Sequence, residues 1–235
     1  MRRMWIALLA LGCGTTGGSE VRLPLMAGAA SEARSFEDEG WTVTIEEARI
    51  ALGPMYFCPT TSADLENCPA AQAELRGAVT VDALDPSAPM LGELSALTGT
   101  IRSGMWDLGR PFLLGAARPA PIDGAIDGHS ARFVARAERG EETFRVRAEP
   151  DVSGMVSGIA AVRGVRTAHE IAGPDDGLTV RFDVPQILSR LDWEALSVEA
   201  DGGELVLVEG SVGYNALVQA LTATALPTLT WARPD

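Results

Sequence analysis

Two short stretches of this sequence carry residue types that could do chemistry. The loop Asp123-Gly124-Ala125-Ile126-Asp127-Gly128-His129 sets two carboxylates near an imidazole, a donor set that suits a divalent metal. Its Asp-Gly pairs equally suit turns, because both residue types accept positive φ. The calcium-loop pattern D-x-D-x-D-G is absent. Just beyond, 130–138 and 141–149 alternate as a hairpin turning at Arg139-Gly140. That register puts Arg132 across from Arg147, Val134 from Arg145 and Arg136 from Thr143, so four arginines share one outward face. Like charges opposed across a sheet are unfavourable, so neighbouring acids or an anionic ligand must offset them. Guanidinium forks are suited to phosphate, glycan carboxylates and lipid head groups.

Little else in the chain looks catalytic. The histidines are His129 and His169, and neither a G-x-S-x-G elbow nor an H-E-x-x-H helix occurs. All 19 basic residues are arginines, which excludes a pyridoxal Schiff base and a lysine-bearing phosphate loop. Against 32 acids they leave a net charge of −13, so a nucleic-acid partner is not expected. A glycan-active enzyme with paired carboxylates would need neither lysine nor histidine, but nothing singles out two acids as such a pair. The expected role is a binding or interaction module. Metal handling and glycan cleavage are the alternatives, and no cofactor is indicated beyond that metal.

The first residues concern address. Arg2 and Arg3 precede the apolar run 4–12 (MWIALLALG). It is far shorter than the roughly 20 residues that span a bilayer and has the form of a signal-peptide core. Ala27 and Ala29 would satisfy a cut after Ala29, but the polar stretch 13–22 stands between that site and the apolar run. Ala10-Leu11-Gly12-Cys13 resembles the bacterial lipobox, with Ala10 where that pattern usually has Leu. The resemblance covers the first 13 residues. It implies removal of 1–12 and a lipid on Cys13 that tethers the protein to a membrane of the bacterial cell envelope. Gly14 is not the aspartate that retains enterobacterial lipoproteins at the inner membrane, so the outer membrane is the expected address. With Cys13 lipidated, Cys58 and Cys68 remain as an even pair in an oxidising compartment, and a disulfide between them is expected.

The elements follow from periodicity. Residues 13–35 are rich in Gly, Ala, Ser and Thr and are expected to be a flexible tether. The folded domain is expected over 36–235. Trp41, Val43 and Ile45 alternate with polar residues, then Ala48, Ile50 and Leu52 alternate on the opposite parity, which predicts a bulge at Glu46-Glu47. Further strands are expected at 75–84, 97–108, 130–137, 143–149 and 178–183. Another pair, 196–200 and 204–209, is expected to be joined by Asp201-Gly202-Gly203 as a hairpin turn. Helices are expected over 183–196, opened by Asp183-Val184-Pro185, and over 214–226, stopping at Pro227. Residues 228–231 then form an edge strand. Met55, Met90, Met105 and Met155 read as core filling. This pattern predicts a mainly β protein, a single β-sandwich domain with one or two short helices near the C-terminus.

The succession TVTIEEARIALGP, VDALD and LTGTIRSGMWDLGRPF, within 41–115, resembles a pattern in exported bacterial β-sandwich proteins. Among these are the periplasmic copper-binding proteins of methanobactin operons. The resemblance implies the sandwich. The histidine and tryptophan region that holds copper in those proteins has no counterpart here, so no ligand set comes with it.

Overall fold

The computed structural model describes residues 18–63, 68 and 70–232. Its strands, in chain order, are β1 (Glu20–Ala29), β2 (Ser35–Asp38), β3 (Trp41–Leu52), β4 (Met55–Cys58), β5 (Ala73–Leu75), β6 (Val79–Asp82) and β7 (Met90–Leu97). They continue with β8 (Gly99–Trp106), β9 (Ala131–Arg139), β10 (Glu142–Ala148), β11 (Val162–Ile171) and β12 (Gly177–Phe182). Helices α1 (Val184–Leu188) and α2 (Trp193–Ala200), strand β13 (Glu204–Leu207), helix α3 (Val212–Gln219), which continues as a π-helical turn over Ala220–Thr224, and strand β14 (Thr228–Ala232) complete the order. One sheet runs β11-β8-β4-β5-β7-β1-β12-β14, and the other runs β13-β10-β9-β3-β2 with β6 on the far part of β3. The protein is a mainly β sandwich with its short helices near the C-terminus, as the periodicity implies.

The two sheets bury one continuous core. Long β3 supplies Trp41, Val43 and Ile45, then Ala48, Ile50 and Leu52. Its pairing with β9 slips between Ile45 and Glu47, so Glu46 is the extra residue of a bulge. That one insertion keeps both halves of the strand facing inward despite the change of parity. Trp41 meets the Phe144 ring edge-on at 5.0 Å, and Phe144 lies 6.1 Å from Trp193, so strand and helix aromatics pack together at one end.

Three expectations are corrected. The flexible tether expected over 13–35 does not hold for its described part, because β1 lies inside the larger sheet. It pairs antiparallel with β7 and parallel with β12, and Leu23 and Leu25 are fully buried. The small residues there are packed, not loose. Gly28 leaves room for the Asp85 carbonyl, which would lie 2.2 Å from a Cβ and which accepts a hydrogen bond from the Ala29 N–H at 2.8 Å. Pro24 is tolerated because pairing with β12 starts only at Leu25.

Second, the helix expected over 183–196 is two helices, and the strand expected over 196–200 lies within α2. Asp192 caps α2 by accepting from the Ala195 N–H at 2.9 Å. Asp201 (φ 46°) and Gly202 (φ 75°) end that helix instead of turning a hairpin. Left-handed backbone serves either purpose, so the dipeptide alone does not choose between them. Strand β13 then runs parallel beside β10.

Third, the β9–β10 hairpin turns one residue later than expected, at Gly140-Glu141, with Arg139 paired to Glu142. The arginine face is unchanged, but Arg136 now lies opposite Arg145 and Arg147 opposite Val134.

The outermost strands of the larger sheet curve toward each other. Trp231 on β14 donates to Thr167 Oγ1 on β11 at 3.0 Å and stacks on the His169 ring with centroids 5.2 Å apart. Side chains, not a backbone ladder, bridge this seam among the described residues.

Candidate functional site

Asp127 and Gly128 do form a turn, with φ of 50° and 92°. Asp123 is exposed. Asp127 accepts from Arg132 Nη2 at 2.7 Å, and His129 Nδ1 bonds Asp151 Oδ1 at 2.8 Å. No group of three His, Cys, Asp or Glu side chains is arranged for a metal among the described residues. The fold instead joins the two favoured stretches. Arg132 bridges Asp127 and Glu149, while Arg110 pairs with Asp151 at 3.2 Å and donates to the Gly128 carbonyl.

The rest of the arginine face is likewise matched with carboxylates. Arg145 reaches Glu46 at 2.8 Å and Glu204 at 3.3 Å, Arg147 reaches Glu204 at 3.8 Å, and Arg136 reaches Glu138 at 3.4 Å. The bulge at Glu46 and the neighbouring β13 thus supply the acids that offset Arg145, and Glu138 on β9 offsets the opposed Arg136. These half-exposed pairs are screened by solvent and add little to stability. They leave no arginine of the four, Arg132, Arg136, Arg145 and Arg147, without an acidic partner.

A different place has the attributes of a binding site. Strands β4 and β8 send Met55, Phe57 and Trp106 into the main core, while Cys58 and Met105 belong to a second small cluster, with Tyr56 against it. The Cys58–Cys68 disulfide lies within this cluster, beside Ala63. Two further loops meet above it. The Gly158 N–H donates to the Phe112 carbonyl, Ser157 Oγ to the Leu113 carbonyl at 3.1 Å, and the Gly115 N–H to Ser157 Oγ at 2.9 Å. Between these walls lies a cleft of about 410 Å³, lined by Tyr56, Met105, Phe112, Leu113 and Ile159 among others. Apolar side chains continue outward along the same loops. Leu114 is 83% exposed, and Met155, expected as core filling, is 96% exposed. Met90 is exposed as well.

Two carboxylates face this space, Glu74, paired with Arg76, and the buried Asp107. Asp107 lines the cleft with only 5% of its surface exposed. Its Oδ1 accepts from the Ala161 N–H at 2.9 Å, and it has no cation partner among the described residues. Burial raises its pKa to about 6, against the stabilising pull of that one hydrogen bond. The Tyr56 phenol is raised too, first by burial and then by the nearby charges of Glu74 and Asp107. A concave apolar site with one perturbed carboxyl is the usual form of a small-molecule site.

Sequence reasoning did not find this cleft. Its lining comes from β4, β5, β8 and three loops, and no local motif links them. One signal was present in Trp106-Asp107-Leu108, an acid set between two apolar residues at a strand end.

The disulfide is part of this wall, since Cys68, Ala70 and Ala71 all line the cleft. Replacing both Cys58 and Cys68 by Ala should cost about 2–3 kcal/mol, because the reduced chain regains the freedom of a loop of sequence separation 10. Urea midpoints with and without dithiothreitol measure this. The reductant should shift the parent protein by the same amount and leave the double variant unmoved.

Fold and site together define a β-sandwich with an apolar, acid-bearing cleft on the outer face of its larger sheet. No family model, curated protein or solved structure matches the chain.

Proposed function

We propose that this is an exported binding protein, held in the bacterial cell envelope by a lipid on Cys13, that takes up an apolar small molecule in the Tyr56–Asp107 cleft. The observation that carries the binding role is the cleft itself, an apolar space of about 410 Å³ with a buried carboxylate at its edge. A cleft that only filled space would not place an unneutralised acid there, because burying a lone charge costs stability. The address rests on the lipobox-like sequence at Cys13, which lies outside the described residues. The Cys58–Cys68 bridge fits an oxidising compartment. An outer-membrane anchor, with the domain on either face, is part of the same proposal.

The short distance from anchor to cleft supports this combination. Only residues 14–19 separate Cys13 from β1, a reach of about 25 Å at full extension. Ala71 and Glu74 line the cleft and also the neighbouring groove that begins at Glu20. The cleft therefore opens near the point where the anchored chain enters the sheet. A molecule partitioned in the membrane would have a short path to it.

A two-armed experiment tests the proposal. Metabolic labelling with palmitate should mark the parent protein and vanish in Cys13→Ala. The neutral apolar dye N-phenyl-1-naphthylamine should bind saturably, and Ala71→Trp with Ala160→Trp, which fill the cleft, should weaken it at least tenfold. Absence of label in the parent would overturn the anchor. Dye binding that ignores the filled cleft would overturn the site.

A further inference from the structure

We infer that the cleft selects ligands that join an apolar chain or ring to an ammonium group, with the Asp107 carboxylate as the cation's partner. The inference rests on the proposed binding role of the cleft and names the chemistry that role would use.

The geometry is that of a half-made ion pair. Asp107 sits at the end of β8, where strand pairing fixes its backbone: its N–H donates to the Pro54 carbonyl at 2.9 Å and its carbonyl accepts from the Gly53 N–H at 2.9 Å. The carboxylate cannot swing out to water without breaking the Ala161 hydrogen bond that ties it to the opposite loop. An arginine elsewhere in this protein finds an acid, and an acid an arginine, across almost every polar cluster described above. Asp107 has only the one backbone donor among the described residues. A carboxylate in an apolar setting gains most from a donor that also carries the opposite charge.

The surroundings favour a cation further. Glu74 on β5 and the Tyr56 phenol on β4 face the same space, and both are acidic or neutral. The cation on that side, Arg76, is drawn to Glu74 at 2.6 Å and is itself largely exposed. Arg110, next along the loop from Asp107, is committed to Asp151 and Gly128. Among the described residues no cation lines the cleft to hold an anionic head group, while Tyr56, Met105 and Phe112 offer apolar and aromatic surface to a ligand's body.

Octylamine, octanol and octanoate share a chain and differ in head group, so calorimetric titration of all three into the full-length protein isolates the head. At pH 8 octylamine should bind at least tenfold more tightly than octanol, and octanoate more weakly than either. The amine stays protonated at pH 5 whereas a carboxyl at about 6 is then about one-tenth ionised, so the amine-to-alcohol ratio should fall about tenfold. In Asp107→Asn the ratio should approach one at both pH values while octanol binding persists. Equal binding of the three, or a ratio that survives Asp107→Asn, would overturn the ammonium inference and leave the apolar cleft standing. No saturable binding of any of the three would remove both.

Discussion

Replacing Leu25 by Asp is expected to abolish the folded state. Leu25 is fully buried in β1, facing Gly92 on one neighbouring strand and Leu178 on the other. The substitution removes a core side chain and buries a carboxylate with no partner, a combined cost above about 5 kcal/mol. That is comparable with the whole stability of an ordinary domain, about 5–15 kcal/mol. Far-UV circular dichroism should show no cooperative urea transition at 25 °C. Ala33→Asp, in the exposed turn after β1, should stay within about 0.5 kcal/mol of the parent. Were 20–29 a loose spacer, the two substitutions would behave alike. A normal transition for Leu25→Asp would expel β1 from the sheet.

Asp107→Asn should make the protein more stable at neutral pH, and the gain should disappear in acid. The sign follows from where the proton sits. Well below pH 3.8 the carboxyl is protonated in both folded and unfolded chains and costs nothing extra. Between the ordinary 3.8 and the folded value of about 6, the folded chain keeps a proton the unfolded chain has released, so stability falls as pH rises. Above that window both forms are ionised, and the buried charge costs about 3 kcal/mol. Asn remains neutral throughout and can still accept from Ala161. The melting temperatures of parent and variant should therefore coincide near pH 3 and separate by about 6–12 °C at pH 8. A destabilised variant at pH 8 would mean that the ionised carboxylate is held by contacts the fold requires. A stabilising loss of a native residue is the mark of a group kept for something other than the fold.

Much of the sandwich was legible because burial on one face writes itself into alternation. The inward residues of β3 gave both the strand and its bulge, since a one-residue insertion is the cheapest way to reverse parity. The edge position of β14 likewise followed from a short alternating segment after Pro227. Local chemistry with two uses leaves the element ambiguous. Asp201-Gly202 caps a helix with the same backbone that would turn a hairpin. Strand β1 was hidden because Pro24 and a run of small residues look like linker, although Leu23, Leu25 and Ala27 do alternate. Small residues there answer to close neighbours, such as the Asp85 carbonyl against Gly28, and a neighbour distant in sequence leaves no local trace.

The candidate site shows the same division. The arginine ladder and the Asp-Gly-His loop drew notice because their charges are consecutive in sequence, and their partners Glu46, Glu149, Asp151 and Glu204 were beyond local reach. Pairing with those partners makes them one balanced surface. The cleft was invisible for the converse reason: its apolar members each look like core, and only the sheet's outer face and the disulfide loop make them a site.

The interior position of β1 also sets a timetable. The chain emerges N-terminus first, so β1 appears with neither neighbour made. Strand β7 follows some 70 residues later, whereas Leu25 must wait for Leu178, about 150 residues on, which at 5–20 residues per second is roughly 8–30 s of synthesis. Until β12 arrives, a strand bearing Leu23 and Leu25 has an unfilled edge of the kind that pairs with other chains. Such long-range closure also makes folding slow once all the parts are present. The first strand of this protein therefore completes its pairing only when nearly its last has appeared.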